Sequence, residues 1–188
     1  VVEKGFLGGS SYYFPDNYLE KAESEFKTAN KYGTTSTLNY SVYNAPATGS
    51  ININKTSEDG VIEGLSFKLE SFDDEREFDD DLIPTPMAYD ADGNEITSIV
   101  LTTDENGKAS TDNEQFFDAN GNKIDGILPY VVDLNGFQIT YRLTEIGIKQ
   151  SDGTYKFPSR YELKDAVEFT IYDTDEYNYT YDLSLIHI

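Results

Sequence analysis

Two ionisable residues stand where the pattern calls for apolar ones. In Ile51-Asn52-Ile53-Asn54-Lys55-Thr56, strand alternation puts Ile51, Ile53 and Lys55 on one face and the three polar residues on the other. In Phe137–Glu145 the same parity aligns Ile139, Tyr141, Leu143 and Glu145. An ammonium taken out of water is costly unless it is paired or gives up its proton. A lysine and a glutamate that both extend apolar rows admit two readings. One is a structural ion pair, often no more stabilising than packed apolar residues. The other is nucleophilic chemistry: burial lowers a lysine's pKa and raises a glutamate's, so the amine can be neutral and the acid protonated. Such an amine can attack a carboxamide while the acid polarises the carbonyl and carries protons, giving an amide bond between side chains and ammonia.

Other chemistries find less in the chain. Its one histidine is His187, next to the last residue, so a Ser-His-Asp arrangement is excluded, and there is no cysteine to act as a nucleophile, disulfide or metal ligand. Paired carboxylates flanking a cleft would suit a glycosidase, but acids are too numerous to single out a pair. No Gly-rich loop follows a strand and opens a helix. Asp90-Ala91-Asp92-Gly93-Asn94-Glu95 has the look of a calcium loop without the glutamate at the twelfth position. Asp104-Glu105-Asn106-Gly107 and Asp118-Ala119-Asn120-Gly121 read as hairpin turns. No metal and no cofactor are assigned.

The elements that must position Lys55 and Glu145 are strands. The 188 residues are 38% hydrophobic and 14% aromatic, with Tyr, Phe, Ile, Val and Leu interleaved with Thr, Asn and Asp between closely spaced turn residues, which is the composition of an all-β sandwich or barrel. Strands are expected at Ser50–Thr56, Val61–Leu69, Ile96–Thr102, Ile127–Val132, Phe137–Thr144, Val167–Tyr172 and Tyr177–Leu183, around a loop-rich stretch from Leu69 to Leu128. Phe72–Asp81 is an acidic run read as a solvated loop anchored by Phe72 and Phe78. A formal charge of −21, from 35 acidic and 14 basic residues, argues against nucleic acid and against an anionic membrane surface. No segment has the apolar length of a membrane span, and the start carries no signal-peptide pattern.

An internal repeat organises the chain. Phe14-Pro15-x-x-Tyr18-x-x-Lys21-x-x-x-Glu25-Phe26 matches Phe157-Pro158-x-x-Tyr161-x-x-Lys164-x-x-x-Glu168-Phe169, a spacing of 143. Ala45-Pro46-Ala47-Thr48 is the best linker, since Pro46 disfavours continued pairing. Residues 1–48 therefore read as the end of one repeat plus a linker, and residues 49–182 as the next repeat without its last strand. The opening on Val-Val-Glu, already inside a strand pattern, reads as a fragment. Residues 183–188, Leu-Ser-Leu-Ile-His-Ile, match what the end of a transposon-based sequencing adaptor would encode and read as a remnant of it; a natural final strand is the alternative. The repeat spacing carries Asn44 to position 187, inside that remnant.

Residues 49–182 resemble a Cna B-type (prealbumin-like, SpaA-type) repeat domain, the stalk module of Gram-positive surface adhesins and pilins. The resemblance lies in Gly49–Lys55, Glu58-Asp59-Gly60, Ile62–Leu69, Thr103–Gly107 and Tyr141-Arg142-Leu143-Thr144-Glu145. It implies a Greek-key β-sandwich, here with an inserted acidic loop region. It also implies an autocatalytic isopeptide bond from a first-strand lysine to a last-strand asparagine, assisted by a glutamate. By motif Lys55 takes the lysine's place as nucleophile and Glu145 the glutamate's as proton shuttle. Asn44 and Glu3 resemble the asparagine and glutamate of the preceding repeat. The stretch between Leu69 and Tyr141 is longer than the family's usual one. The implied protein is a non-enzymatic stalk or spacer on the cell wall, with neighbouring repeats of the same chain as partners. In the alternative, an adhesin domain binds a host or matrix ligand through the insertion at 70–100.

Overall fold

In the computed structural model the described residues are 6–8, 11–13, 46–58, 60, 62–73, 82–129, 139–159, 161–171 and 178–185. The chain divides into two compact units, Val1–Ala47 and Thr48–Ile188. In the first, β1 (Phe6–Gly8) and β2 (Ser11–Tyr13) form an antiparallel hairpin with Phe6 opposite Tyr13. Glu3 and Asn44 lie outside the described residues, as does the acidic run from 74 to 81.

The second unit is an all-β sandwich. Its long strands are β3 (Ser50–Ser57) and β4 (Leu65–Asp73). Short ones follow: β5 (Ile83–Pro84), β6 (Ala88–Tyr89), β7 (Glu95–Ile96), β8 (Ser98–Thr102), β9 (Lys108–Ser110), β10 (Phe116–Phe117) and β11 (Lys123–Ile124). Then come β12 (Ile139–Lys149), β13 (Tyr155–Lys156), β14 (Val167–Phe169) and β15 (Asn178–Leu185). One sheet is built on β12 and β4, antiparallel, with β13 and β14 beside β12 and with β5 and β8 beside β4. The other runs β15–β3–β9, and a small third sheet runs β11–β10–β6–β7. Ile51 and Ile53 from β3 pack with Leu65, Phe67 and Leu69 from β4 and with Ile139, Tyr141 and Leu143 from β12 in one core.

Several strands differ from the sequence expectation, for reasons of pairing. Residues 62–64 turn, with Gly64 N–H donating to Thr103 C=O at 2.9 Å, so the second strand starts at Leu65 rather than Val61. Ile96–Thr102 breaks at Thr97: Ile96 ends β7, which pairs with β6, and Ser98 opens β8, which pairs with β4, while the Thr97 carbonyl accepts from Ser71 N–H of β4 at 3.0 Å. Among the described residues, Ile127 makes an isolated bridge to Gly49. The stretch read as loops is threaded through the interior: Met87 and Ala88 are fully buried, although neither sits in an alternating pattern. The last strand of the sequence expectation, Tyr177–Leu183, is found as β15, which lies parallel to β3 along its whole length, from Asn178 opposite Ser50 to Leu185 opposite Ser57. Leu183–Leu185, assigned above to the adaptor remnant, are part of that strand. A ring stack ties the two sheets at this side, with Phe169 of β14 3.7 Å from Tyr179 of β15 and 5.7 Å from Tyr141 of β12. Such pairs are worth about 0.5–1.5 kcal/mol each beyond the area they bury.

Candidate functional site: a buried lysine–glutamate contact

The alternation of β3 buries Ile51, Ile53 and Lys55 and leaves Asn52, Asn54 and Thr56 toward solvent. That of β12 buries Ile139, Tyr141, Leu143 and Glu145. Packed sheets stand roughly 10 Å apart, a gap that one lysine and one glutamate span end to end. Lys55 Nζ and Glu145 Oε1 meet at 2.6 Å, with 0% and 2% of their side chains exposed. The contact is close but not directed: among the described residues, Nζ, Oε1 and Oε2 are all buried without an aligned hydrogen-bond partner. The Phe67 ring, opposite Glu145 in the β12–β4 ladder, lies 5.9 Å from Nζ.

Burial is the main influence on Lys55 and pushes its amine below the usual lysine value of 10.5. The Glu145 carboxylate, 2.6 Å away, pulls the other way, and Lys164 adds to the lowering. Tyr181 of β15 is raised, first by burial and then by the Glu145 charge. The site therefore draws on both sheets and on β15. Neither Tyr181 nor Lys164, the latter named only as part of the repeat, was assigned to the site from sequence, because strand parity says which face a residue takes and not which strands become neighbours.

Two glycines set the backbone around the pair. At Gly147 (φ 97°) the β12–β4 register shifts just after Glu145, a bulge beyond which pairing resumes with Gly147 opposite Ser66 and Ile148 opposite Leu65. A Cβ on Gly147 would sit 2.5 Å from the Lys156 carbonyl carbon. Gly107 (φ 74°) accepts from Lys55 N–H at 2.7 Å, and a Cβ on it would lie 2.1 Å from the Lys55 carbonyl oxygen. Gly107 belongs to one of three equivalent turns that begin at Asp90, Asp104 and Asp118. In each, the aspartate Oδ1 accepts from the backbone N–H two and four residues on, at 2.8–2.9 Å. The Asp90 loop is thus a third turn of the kind read at Asp104 and Asp118, its carboxylate engaged by its own N–H groups. In the Gly121 turn a Cβ would meet nothing within 4 Å. Gly121→Ala is therefore expected to cost only the positive-φ penalty of about 1–2 kcal/mol, and Gly107→Ala clearly more, since the Lys55 backbone must also move. Urea midpoints of the two variants check this; equal losses would show that β3 is not held against Gly107.

The register of β15 bears on what could react with Lys55. Asn178 is exposed, opposite Ser50, and its Oδ1 accepts from Ser50 Oγ at 2.8 Å, five residues from Lys55 along the strand. Leu183 is the residue opposite Lys55. With strands about 4.8 Å apart rising about 3.3 Å per residue, an isopeptide bond, which spans at most roughly 9 Å between Cα atoms, reaches position 183 or 185. Position 187, to which the repeat spacing carried Asn44, lies outside the described residues. A strand extended in this register would place it about 14 Å away. A slide of β15 by two residues would bring it level with 185 while keeping the same face inward.

No family model and no curated protein matches the chain. Among solved structures, the full-length major pilin SpaD from Corynebacterium diphtheriae aligns with 74% of this chain at 19% identity and a TM-score of 0.38. The aligned part covers 30% of that pilin, so this chain spans under a third of its length. An overlap this slight leaves any functional reading to rest on the residues themselves.

Proposed function

We propose that the second unit is a structural stalk or spacer module of a bacterial cell-surface protein or pilin, of the Cna B type, built to lock itself with a Lys–Asn isopeptide bond. The observation that carries this reading is the Lys55–Glu145 contact: two buried ionisable groups at 2.6 Å whose polar atoms are not otherwise satisfied. A fold gains little from such a pair for stability alone, and buried polar atoms without aligned partners call for an explanation in chemistry. A carboxamide beside them would supply both the missing hydrogen bonds and an electrophile. Lys55 passes a proton to Glu145, and the neutral Nζ attacks the carboxamide carbon. Glu145 then returns a proton to the departing nitrogen; one C–N bond forms, one breaks, and ammonia leaves. The reaction happens once within one chain, so the module is not an enzyme acting on a separate substrate. Its partners are neighbouring repeats of the same chain, and its place is outside the cell, attached to the wall.

The test supplies the carboxamide. Leu183→Asn and Leu185→Asn fit the observed register, and His187→Asn fits the repeat spacing. Intact mass is expected to fall by one ammonia in at least one folded variant, and not when Lys55→Ala is added. If all three fold and none loses ammonia, the reading is wrong. An adhesin role for residues 70–100 gains no specific support: Met87, Ala88 and Phe72 from this stretch are buried.

A further inference from the structure

The edge of β3 that faces away from β15 is covered rung by rung by the stretch between β4 and β12. Gly49 and Ile127 exchange both backbone hydrogen bonds, at 2.6 and 2.9 Å. Ile53 lies opposite Ala109 in the β3–β9 ladder, and Lys55 N–H donates to Gly107 C=O at 2.7 Å. The same register carried one pair further puts Thr111 opposite Ile51. There the chain leaves the ladder. Thr111 opens a 3-10 turn, and its carbonyl accepts from Glu114 N–H at 3.1 Å. Its hydroxyl supplies the rung instead: Thr111 Oγ1 accepts from Ile51 N–H at 3.0 Å, and Thr111 is fully buried. Three separate pieces, residues 107–110, the Thr111 side chain and Ile127, thus seat β3 from Gly49 to Lys55.

β15 is held differently. Among the described residues it pairs with β3 alone, so one edge carries its whole ladder. Its inward residues Tyr179, Tyr181 and Leu183 are half-buried, whereas Ile51, Ile53 and Lys55 of β3 are at most 2% exposed. Successive N–H groups of a strand point to opposite edges. Those of Gly49, Ile51, Ile53 and Lys55 therefore go to the stretch between β4 and β12, and those of Asn52, Asn54 and Thr56 go to β15.

We propose that the stretch between β4 and β12 is a splint that fixes β3, and Lys55 with it, while β15 opens and closes as a unit on this fixed bed. Thr111 is the joint of the splint, a side chain that continues the ladder where the backbone turns away. A β15 that leaves and returns can also return two residues along with the same face inward, the slide that brings position 187 level with 185. That last consequence rests on the isopeptide reading; the splint and the opening strand do not.

Native-state hydrogen exchange of the unaltered chain, followed by NMR across low urea, reads the two edges of β3 separately. The Asn52, Asn54 and Thr56 amides are expected to exchange about tenfold or more faster than those of Ile51, Ile53 and Lys55, through one shared opening. That opening is expected to depend on urea clearly less than global unfolding does, since it exposes only the surface under β15. Equal rates, or one common urea dependence for both sets, overturn the inference. Thr111→Val removes the hydroxyl and keeps the branched shape. It is expected to speed exchange at Ile51 about tenfold or more and to leave the β15-facing set unchanged, with Thr111→Ser restoring the parent's rate. An Ile51 amide indifferent to Thr111→Val overturns the part given to Thr111, and the two-edge comparison in the unaltered chain decides the rest even where that variant does not fold. In an asparagine variant that loses ammonia, the β15-facing set is expected to slow to the pace of the other, because the link holds β15 closed. Two sets that persist while no variant loses ammonia support the splint and fail the isopeptide reading instead.

Discussion

Lys55→Ala or Glu145→Ala alone is expected to cost about 3–5 kcal/mol in urea unfolding, because each leaves an uncompensated charge or a cavity in the core. Replacing both, with Lys55→Met and Glu145→Leu, is expected to recover that loss and add about 1–4 kcal/mol, since two well-packed apolar side chains need no desolvation. The two residues project from facing sheets into the same small volume, so their effects are far from additive. The comparison has a pH signature. Lys55 in the folded unit titrates below its ordinary 10.5, chiefly because it is buried. Between the folded and unfolded values the unfolded chain holds the extra proton, so stability rises with pH across that window. The penalty is fully present below the folded value and gone above 10.5. The parent's deficit against the double variant is therefore expected to shrink as pH climbs from neutral toward 10.5. A deficit constant over that range would mean that Lys55 stays charged inside the fold, and the nucleophilic reading would lose its chemistry.

The second large effect belongs to the cross-linked form. A bond from Lys55 to position 183 or 185 closes a loop of roughly 130 residues, and the chain-entropy estimate for a link of that size is about 5 kcal/mol. The reacted asparagine variant is thus expected to unfold at far higher urea than the same variant carrying Lys55→Met and Glu145→Leu, which packs well and cannot react. It is also expected to lose the pH dependence above, because the product amide replaces the titrating amine. A reacted chain no more stable than the unreactive reference would mean that the link strains the strands it joins by as much as it restricts the unfolded chain.

How much of this was legible in advance follows from what parity can and cannot say. The inward rows of β3 and β12, Lys55 and Glu145 included, follow from a period of two. Their meeting does not, since a strand's face says nothing about which strand lies opposite. The turns at Asp104 and Asp118 carried their Asn-Gly signal openly. The one at Asp90 resembled something else, because the same aspartate geometry that caps a turn also suits a cation. Met87 and Ala88 were missed for a different reason: strands two residues long carry no period, and their burial is imposed by the sheets around them. The lysine strand's parallel neighbour was expected as a strand at Tyr177–Leu183 but not beside β3, because parallel pairing depends on a long crossover that local sequence does not encode.

That neighbour has a mechanical consequence. Since β3 and β15 run parallel in an unbroken register of eight pairs, tension entering before Ser50 and leaving after Leu185 pulls the two strands past each other along their length. Every rung of the ladder is then loaded at once, rather than one after another as in unzipping. The path of force between the two ends crosses from strand to strand within the rows that hold Lys55, and need not run along the chain between β4 and β12, which braces the loaded ladder from the side through β9 and the Gly107 turn.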